Sequence, residues 1–284
     1  MLDWGHRTYV MGIINVTPDS FSGDGLAHDD ENGALERVIT QAREFVADGA
    51  DILDVGGEST RPGSSPVTAE VELARVIPAI RAIREISAGV LISVDTYRAE
   101  VAEAALDAGA DWVNDVWGLR MDAAMAELVS RRGCPVVIMH NRSKPKDVDQ
   151  EQRLGGRYIG VHYDDLIPDI IRELGEQVDL ALSAGVRREQ IIIDPGIGFG
   201  KTVAQNLELI DRLGELRVMG FPVLSGPSRK SFIGYTLDLP PEQRVEGTAA
   251  AVAVSIARGA DIVRVHDVAA MVRVTRMTDA IVRR

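Results

Sequence analysis

Two sets of side chains in this sequence could do chemistry together. The first is cationic: Arg61, Lys230, Arg264 and His266, joined by the amide of Asn15, would form a basic pocket, with arginine offering a planar two-point grip on a phosphate. Arg229, within the stretch SGPSRKS at Ser225 to Ser231, could join them or make a surface salt bridge. The second set, Asp95, Asn114 and Asp194, would take either a metal or a ligand edge rich in N–H donors. His140 and His162 lie too far apart for a zinc motif and no carboxylates cluster, so the mixed acids and amide suit an N–C–N edge better. A nucleophile is hard to find, because Cys134 precedes Pro135 at the start of its strand, and Ser228 and Ser231 lack matching histidine and carboxylate partners. Those residues fit ionic stabilisation of a leaving phosphate instead.

The stretch IIIDPGIGFGKT, Ile191 to Thr202, imitates a phosphate loop but does not match one. Pro195 stands where the P-loop pattern needs glycine, and Gly196, Gly198 and Gly200 alternate, which also breaks the dinucleotide spacing. What remains is a strand that ends in Asp194 and a turn without bulky side chains.

The elements that must position these residues follow from periodicity. Eight apolar runs recur: Tyr9 to Asn15, Ile52 to Gly56, Val90 to Asp95, Trp112 to Asp115, Val136 to His140, Ile191 to Asp194, Pro222 to Ser225 and Ile262 to Val265. Helical spacing follows each of them, in Glu31 to Asp48, Thr68 to Ile86, Arg98 to Ala108, Ala123 to Arg132, Asp165 to Ala184, Val203 to Leu213, Arg244 to Ala257 and Val268 to Val282. Strict alternation over 284 residues predicts one α/β domain, residues 1–284, folded as a (β/α)8 TIM barrel. Gly-Ala-Asp at 49–51, 109–111 and 259–261 would mark turns at the stabilising end of the barrel. The polar strand ends, Asn15, Asp54 with Glu58, Asp95, Asn114 with Asp115, His140, Asp194, Ser225, and Arg264 with His266, would converge on the other end. Val16 to Asp30 and Gly57 to Val67, rich in glycine, proline and serine, would be mobile lids after strands 1 and 2.

A net charge of −12, from 31 basic and 43 acidic residues, disfavours general binding to nucleic acid or acidic membranes. A single cysteine and a polar start suggest a cytoplasmic chain, and Gly247 to Ala257, the most apolar long window, is too short for a membrane span.

Seven motifs in order then carry a resemblance: NVTPDSF at Asn15 to Phe21, GGESTRPG at Gly56 to Gly63, SVDT at Ser93 to Thr96, ND at Asn114 and Asp115, DPGIGFGK at Asp194 to Lys201, SRKSFIG at Ser228 to Gly234 and RVHD at Arg264 to Asp267. Over the full chain the sequence resembles the dihydropteroate synthases, folate-pathway enzymes that bind pterins. The resemblance implies that 6-hydroxymethyl-7,8-dihydropterin diphosphate condenses with 4-aminobenzoate to 7,8-dihydropteroate, releasing diphosphate, with Mg²⁺ and by a dissociative route. It further implies that Asp95, Asn114, Asp194 and Lys230 bond the pterin, and that Arg264 stacks on it. Arg264, His266 and Asn15 would hold the diphosphate, with Asn15 as the Mg²⁺ ligand. Thr60, Arg61, Pro62, Phe199 and Ser231 would face the aminobenzoate. Asp24, in Ser22-Gly23-Asp24-Gly25, is displaced by one position from the family's lid aspartate. Asn141 to Asp149 also departs from the commoner pattern. Family members usually form homodimers through helices of the C-terminal half, which Gly247 to Ala257 would suit. The two neighbouring readings are a methyltetrahydrofolate-dependent methyltransferase, which has no use for the SRKS and RVHD motifs, and a pterin-binding homologue without turnover.

Overall fold

The computed structural model describes residues 2–16, 31–59, 66–143, 154, 156–159 and 161–283. Eight parallel strands stand in the order β6-β5-β4-β3-β2-β1-β8-β7. They are β1 Tyr9–Asn15, β2 Ile52–Gly56, β3 Leu91–Asp95, β4 Trp112–Asp115, β5 Val136–Met139, β6 Ile191–Asp194, β7 Leu224–Ser225 and β8 Ile262–Val265. A parallel bridge between Ile193 and Val223 joins the two outer strands and closes the (β/α)8 barrel.

Around it run α1 Glu31–Asp48, α2 Ala69–Ile86, α3 Ala99–Ala108, α4 Met125–Arg132, α5 Leu166–Ser183, α6 Val203–Asp211, α7 Ser231–Leu237, α8 Val245–Ala257 and α9 Val268–Val282. Helix α7 is an addition to the expected alternation. Seven residues are too short a window for helical periodicity to stand out, and Asp238 ends the helix in the left-handed region at φ 57°. Elsewhere the differences are at ends. Thr68, read as helical, is instead the N-cap of α2, and its hydroxyl accepts the Val71 N–H. None of the described helices is long and apolar enough to cross a membrane.

The period of two along each strand decides what fills the barrel. At the lower level Tyr9, Met11, Ile52, Trp112, Val137, Ile192, Leu224 and Ile262 form one apolar cluster. Two residues further up, on the same side of their strands, stand Asp54, Asn114, Asp194 and Arg264. The barrel is therefore an apolar plug below a polar layer. A separate, larger cluster packs the outer faces of the strands, such as Ile14, Val55, Val94 and Ile138, against the helices.

Below the plug, the Gly-Ala-Asp repeat does the same work three times. Gly49, Gly109 and Gly259 have φ values of 97°, 115° and 100°, which end the preceding helices. The carboxylates of Asp51, Asp111 and Asp261 then accept the N–H groups of Val10, Ile92 and Val223 at 2.9, 2.8 and 3.0 Å. The repeat ties each turn to a neighbouring strand and touches no polar residue of the upper layer.

Candidate active site

Strand register sets the first row of the site. Asn15 pairs with Gly56, Gly56 with Asp95, and Asp95 with Asn114, so the mouth ends of four adjacent strands lie level. Gly56, next to Asp95 in the row, places no side chain there; a Cβ would stand in contact with the Asp95 Cβ, at 3.4 Å.

Arg264 crosses the barrel to this row from β8. Its Nε donates to Asp54 Oδ2 at 2.6 Å and its Nη2 to Asp95 Oδ2 at 2.7 Å. Held at two points by carboxylates from two strands, the guanidinium has a fixed plane and offers a flat cationic face. The two carboxylates raise its pKa further against the opposing effect of burial. Burial also raises the Asp95 carboxyl, with Arg264 pulling the other way. Asn114 donates from Nδ2 to Asp54 Oδ2 at 3.0 Å, which fixes the amide orientation. Asp54 is fully buried and joins two of the expected ligand residues at once. Its Oδ1 and the neighbouring Ser93 Oγ are buried with no partner among the described residues.

On the far wall Asp194 is buried at the end of β6, where its Oδ1 accepts the Gly196 N–H at 2.7 Å. Burial raises its pKa, and Lys230 opposes that shift. Lys230, just before α7, reaches over the turn that follows β6. Its ammonium donates to the Ile197 carbonyl and stands 4.5 Å from the Phe199 ring centroid. Burial lowers the Lys230 pKa to about 8, with Asp194 holding it up. The alternating glycines of that turn now have a reason. Gly196 and Gly198 have φ values of 71° and 82°, and a Cβ on them would lie 1.8 Å from the His140 carbonyl oxygen and 2.6 Å from Lys230 Cδ.

His266 is half-buried, and its backbone N–H and Nδ1 both meet Ser228 Oγ, at 3.1 and 3.0 Å. Ser231 opens α7 next to Lys230. Arg229, by contrast, is turned to Asp267, with Nε donating to Oδ2 at 2.9 Å, so the salt-bridge reading holds for it. Its backbone is left-handed at φ 55°, and its carbonyl accepts from Arg244 Nη1 at 2.9 Å. Arg244 is 1% exposed and also donates to the carbonyls of Leu154 and Leu239 at 3.0 Å each. It thus fixes the segment that carries Lys230, a role with no periodic sign in the residue order.

The structure thus brings Asp95, Asn114, Asp194, Lys230 and Arg264 together, with Asn15, Phe199, His266 and Ser231 at the same end of the barrel. Thr60, Arg61, Pro62 and Asp24 lie outside the described residues, as do most of the two expected lids. His140 is not part of the mouth: it is 1% exposed and bonds inward, to Lys201 and Glu173. Lys201 is likewise buried and does not face a phosphate site. Asp115 is a structural cap whose carboxylate accepts the N–H groups of Trp117 and Leu119 at 2.8 Å each.

Asn15, a half-buried oxygen donor at a strand end, suits a single protein ligand to Mg²⁺, which commonly keeps several waters and takes its other ligands from substrate phosphates. Among the described residues no group of three or more His, Cys, Asp or Glu could hold a metal as a protein cage.

Comparison with known proteins agrees with this geometry. The pterin binding enzyme family matches residues 11–266. A dihydropteroate synthase of Clostridium beijerinckii is 46% identical over 281 residues, 99% of this chain and 96% of its own length. A Clostridium difficile dihydropteroate synthase solved in the presence of pteroic acid superposes with a TM-score of 0.89 at 46% identity, each chain covered in full. The Xanthomonas albilineans enzyme with 4-aminobenzoic acid gives 0.86 at 41% identity, covering 98% of this chain and 94% of that one. The chain belongs to the pterin-binding enzyme family, among its dihydropteroate synthases.

Proposed function

We propose that this chain joins 6-hydroxymethyl-7,8-dihydropterin diphosphate to 4-aminobenzoate by a dissociative route. The observation that carries the reading is the position of Arg264, bonded to Asp54 and Asp95 beside Asn114, Asp194 and Lys230. Asp95, Asn114 and Asp194 take the N–H-rich edge of the pterin, Lys230 takes its carbonyl oxygen and a ring nitrogen, and Arg264 stacks on the ring.

In the reaction the C–O bond of the hydroxymethyl group breaks first, and its electron pair leaves with the diphosphate. Arg264 and His266 meet the growing negative charge on that group. Buried carboxylates meet the positive charge left on the pterin methylene. The aromatic amine is neutral at pH 7, so its lone pair forms the C–N bond without a general base, and the amine then loses a proton. Asn15 would hold Mg²⁺, whose chemistry there is neutralisation of diphosphate charge. Phe199, Ser231, Thr60, Arg61 and Pro62 take the aminobenzoate side. Asp24 is proposed to act in the lid.

The test is direct: purified protein with Mg²⁺ and both substrates should yield 7,8-dihydropteroate and diphosphate in equal amounts. We further propose a homodimer through the outer face of α8 and α9, supported by Val254, Met277 and Ile281, which are 41%, 64% and 54% exposed. Sedimentation at micromolar protein would show one species of twice the chain mass. A cytoplasmic location is supported by the single, buried Cys134.

A further inference from the structure

Behind the turn that follows β6 lies a buried chain of charges that the proposed reaction does not use. Lys201 is 1% exposed, and its ammonium meets three acceptors: the carbonyls of Gly196 and Phe199 at 3.0 and 3.1 Å, and His140 Nδ1 at 3.0 Å. His140 Nε2 lies 3.0 Å from Glu173 Oε2 on α5. Arg142 Nε donates to both Glu173 oxygens, at 3.0 and 3.1 Å, and Arg142 Nη2 donates to Asp169 Oδ2 at 3.0 Å. The Tyr163 ring covers the assembly, with Arg142 3.9 Å from its centroid and the Tyr163 hydroxyl donating to the Gly200 carbonyl at 3.0 Å.

One arrangement of protons satisfies every member. Burial lowers the Lys201 pKa to about 7, with Asp194 holding it up; in its ammonium form Lys201 has three donors and no acceptor, so His140 Nδ1 then offers it a lone pair. The imidazole proton then sits on Nε2 and is donated to the Glu173 carboxylate. The reverse tautomer would set Nδ1–H against the ammonium and leave Nε2 facing a carboxylate with no hydrogen between them. Burial, followed by the charge of Lys201, holds His140 neutral by lowering its pKa to about 3. Against burial, the hydrogen bonds from His140 and Arg142 hold the Glu173 carboxyl well below the usual carboxylate range.

We infer that Lys201, His140 and Glu173 form a positioning relay for the aminobenzoate end of the site. Lys201 grips the turn from behind by two carbonyls, and Lys230 grips the same turn from the front by the Ile197 carbonyl between them. The backbone of residues 196–199 is thus held from both sides, with Phe199 against Lys230. The inference rests on the reading that Phe199 bounds the 4-aminobenzoate. Its consequence is that a change at the rear of the turn acts on one substrate and not on the other. Asp194 keeps the charge of Lys230 and the Gly196 N–H and loses only the smaller contribution of Lys201, so the pterin side retains its bonded partners.

The experiment compares wild type with Lys201→Met and His140→Asn. In wild type carrying isotope-labelled histidine, nuclear magnetic resonance should show His140 neutral at pH 7 with its proton on Nε2. Lys201→Met should raise KM for 4-aminobenzoate by about tenfold or more while KM for the pterin diphosphate changes by less than about threefold, as expected for a displaced positioning group. His140→Asn retains an amide oxygen that can accept from Lys201, so it should fall between the two. Parallel rises in both KM values, no rise in either, or a His140 proton on Nδ1 would overturn the relay. If Lys201→Met does not fold, the resonance measurement and His140→Asn decide the matter alone. A wild type without turnover would overturn the reading of the site and the relay with it, whereas turnover with unsplit KM values overturns the relay only.

Discussion

The lower and upper halves of the barrel interior are built on the same strands, two residues apart, and follow opposite rules. Below, Ile52, Trp112, Ile192 and Ile262 fill the space with apolar volume. Above, Asp54, Asn114, Asp194 and Arg264 fill it with polar and charged groups, and among the described residues Asp54 Oδ1 and Ser93 Oγ have no partner. Unpartnered buried acceptors cost stability, so the upper layer is tolerated because the lower one and the outer cluster hold the barrel closed. Stability and chemistry are thereby separated along each strand. A substitution in the lower level should move stability and leave the chemistry, whereas one in the upper level should move the chemistry and, where it strands a buried charge, stability as well.

The largest effect belongs to Arg264→Ala. Removing the cation that meets the leaving group should lower kcat/KM by about 10³-fold in steady-state assays. Asp54 and Asp95 lose their buried partner, so urea unfolding should also show a loss of about 3–5 kcal/mol. Ile192→Ala breaks the comparison from the other side: a cavity in the plug should cost about 2–5 kcal/mol of unfolding free energy, read from urea titration, with kcat/KM of the folded fraction unaltered. Lys230→Ala should weaken pterin binding by about 10- to 100-fold, the loss of a hydrogen bond from a charged group, measured by calorimetry with the pterin alone. Unaltered affinity would remove Lys230 from the site.

Asp95→Asn gives the most specific signal, because only its dependence on pH is read. Burial raises the folded-state pKa of Asp95 to about 7, so between its ordinary value near 4 and that value the folded state binds more protons than the unfolded one. The wild type therefore loses stability through this group as pH rises across that window, and the loss is complete above it. The asparagine variant lacks that group, so its stability relative to wild type should climb from about pH 4 to about pH 7 and then level off. Urea midpoints at a series of pH values would show it, and a constant difference would mean that Asp95 is not held protonated by its surroundings.

Much of this division could be read from the residue order. Alternation along strands such as Ile52-Leu53-Asp54 already separates an apolar from a polar position on one face, and Asp95, Asn114, Asp194 and Arg264 could be placed at one mouth for that reason. The Gly-Ala-Asp turns were also legible, since a helix end followed at once by a strand needs glycine there. What the order could not show is which buried polar group meets which. Lys201 reads as the end of a false phosphate loop, because its partner His140 is 61 residues away and its other acceptors are carbonyls that exist only once the turn has formed. Asp54 reads as one polar strand end among several, and only the crossing of Arg264 from β8 makes it the centre of the site. Arg244 sits before a small-residue helix, and the carbonyls it braces, of Leu239, Arg229 and Leu154, lie 5, 15 and 90 residues away.

The account stands most directly on one assay. Purified wild-type protein, shown to be folded by its urea transition, is given Mg²⁺, 6-hydroxymethyl-7,8-dihydropterin diphosphate and 4-aminobenzoate, and product is followed over time. 7,8-Dihydropteroate and diphosphate should appear in equal amounts, with diphosphate release slowed about 10³-fold in Arg264→Ala. Folded protein that forms no dihydropteroate, or an Arg264→Ala variant that turns over at the wild-type rate, would contradict it.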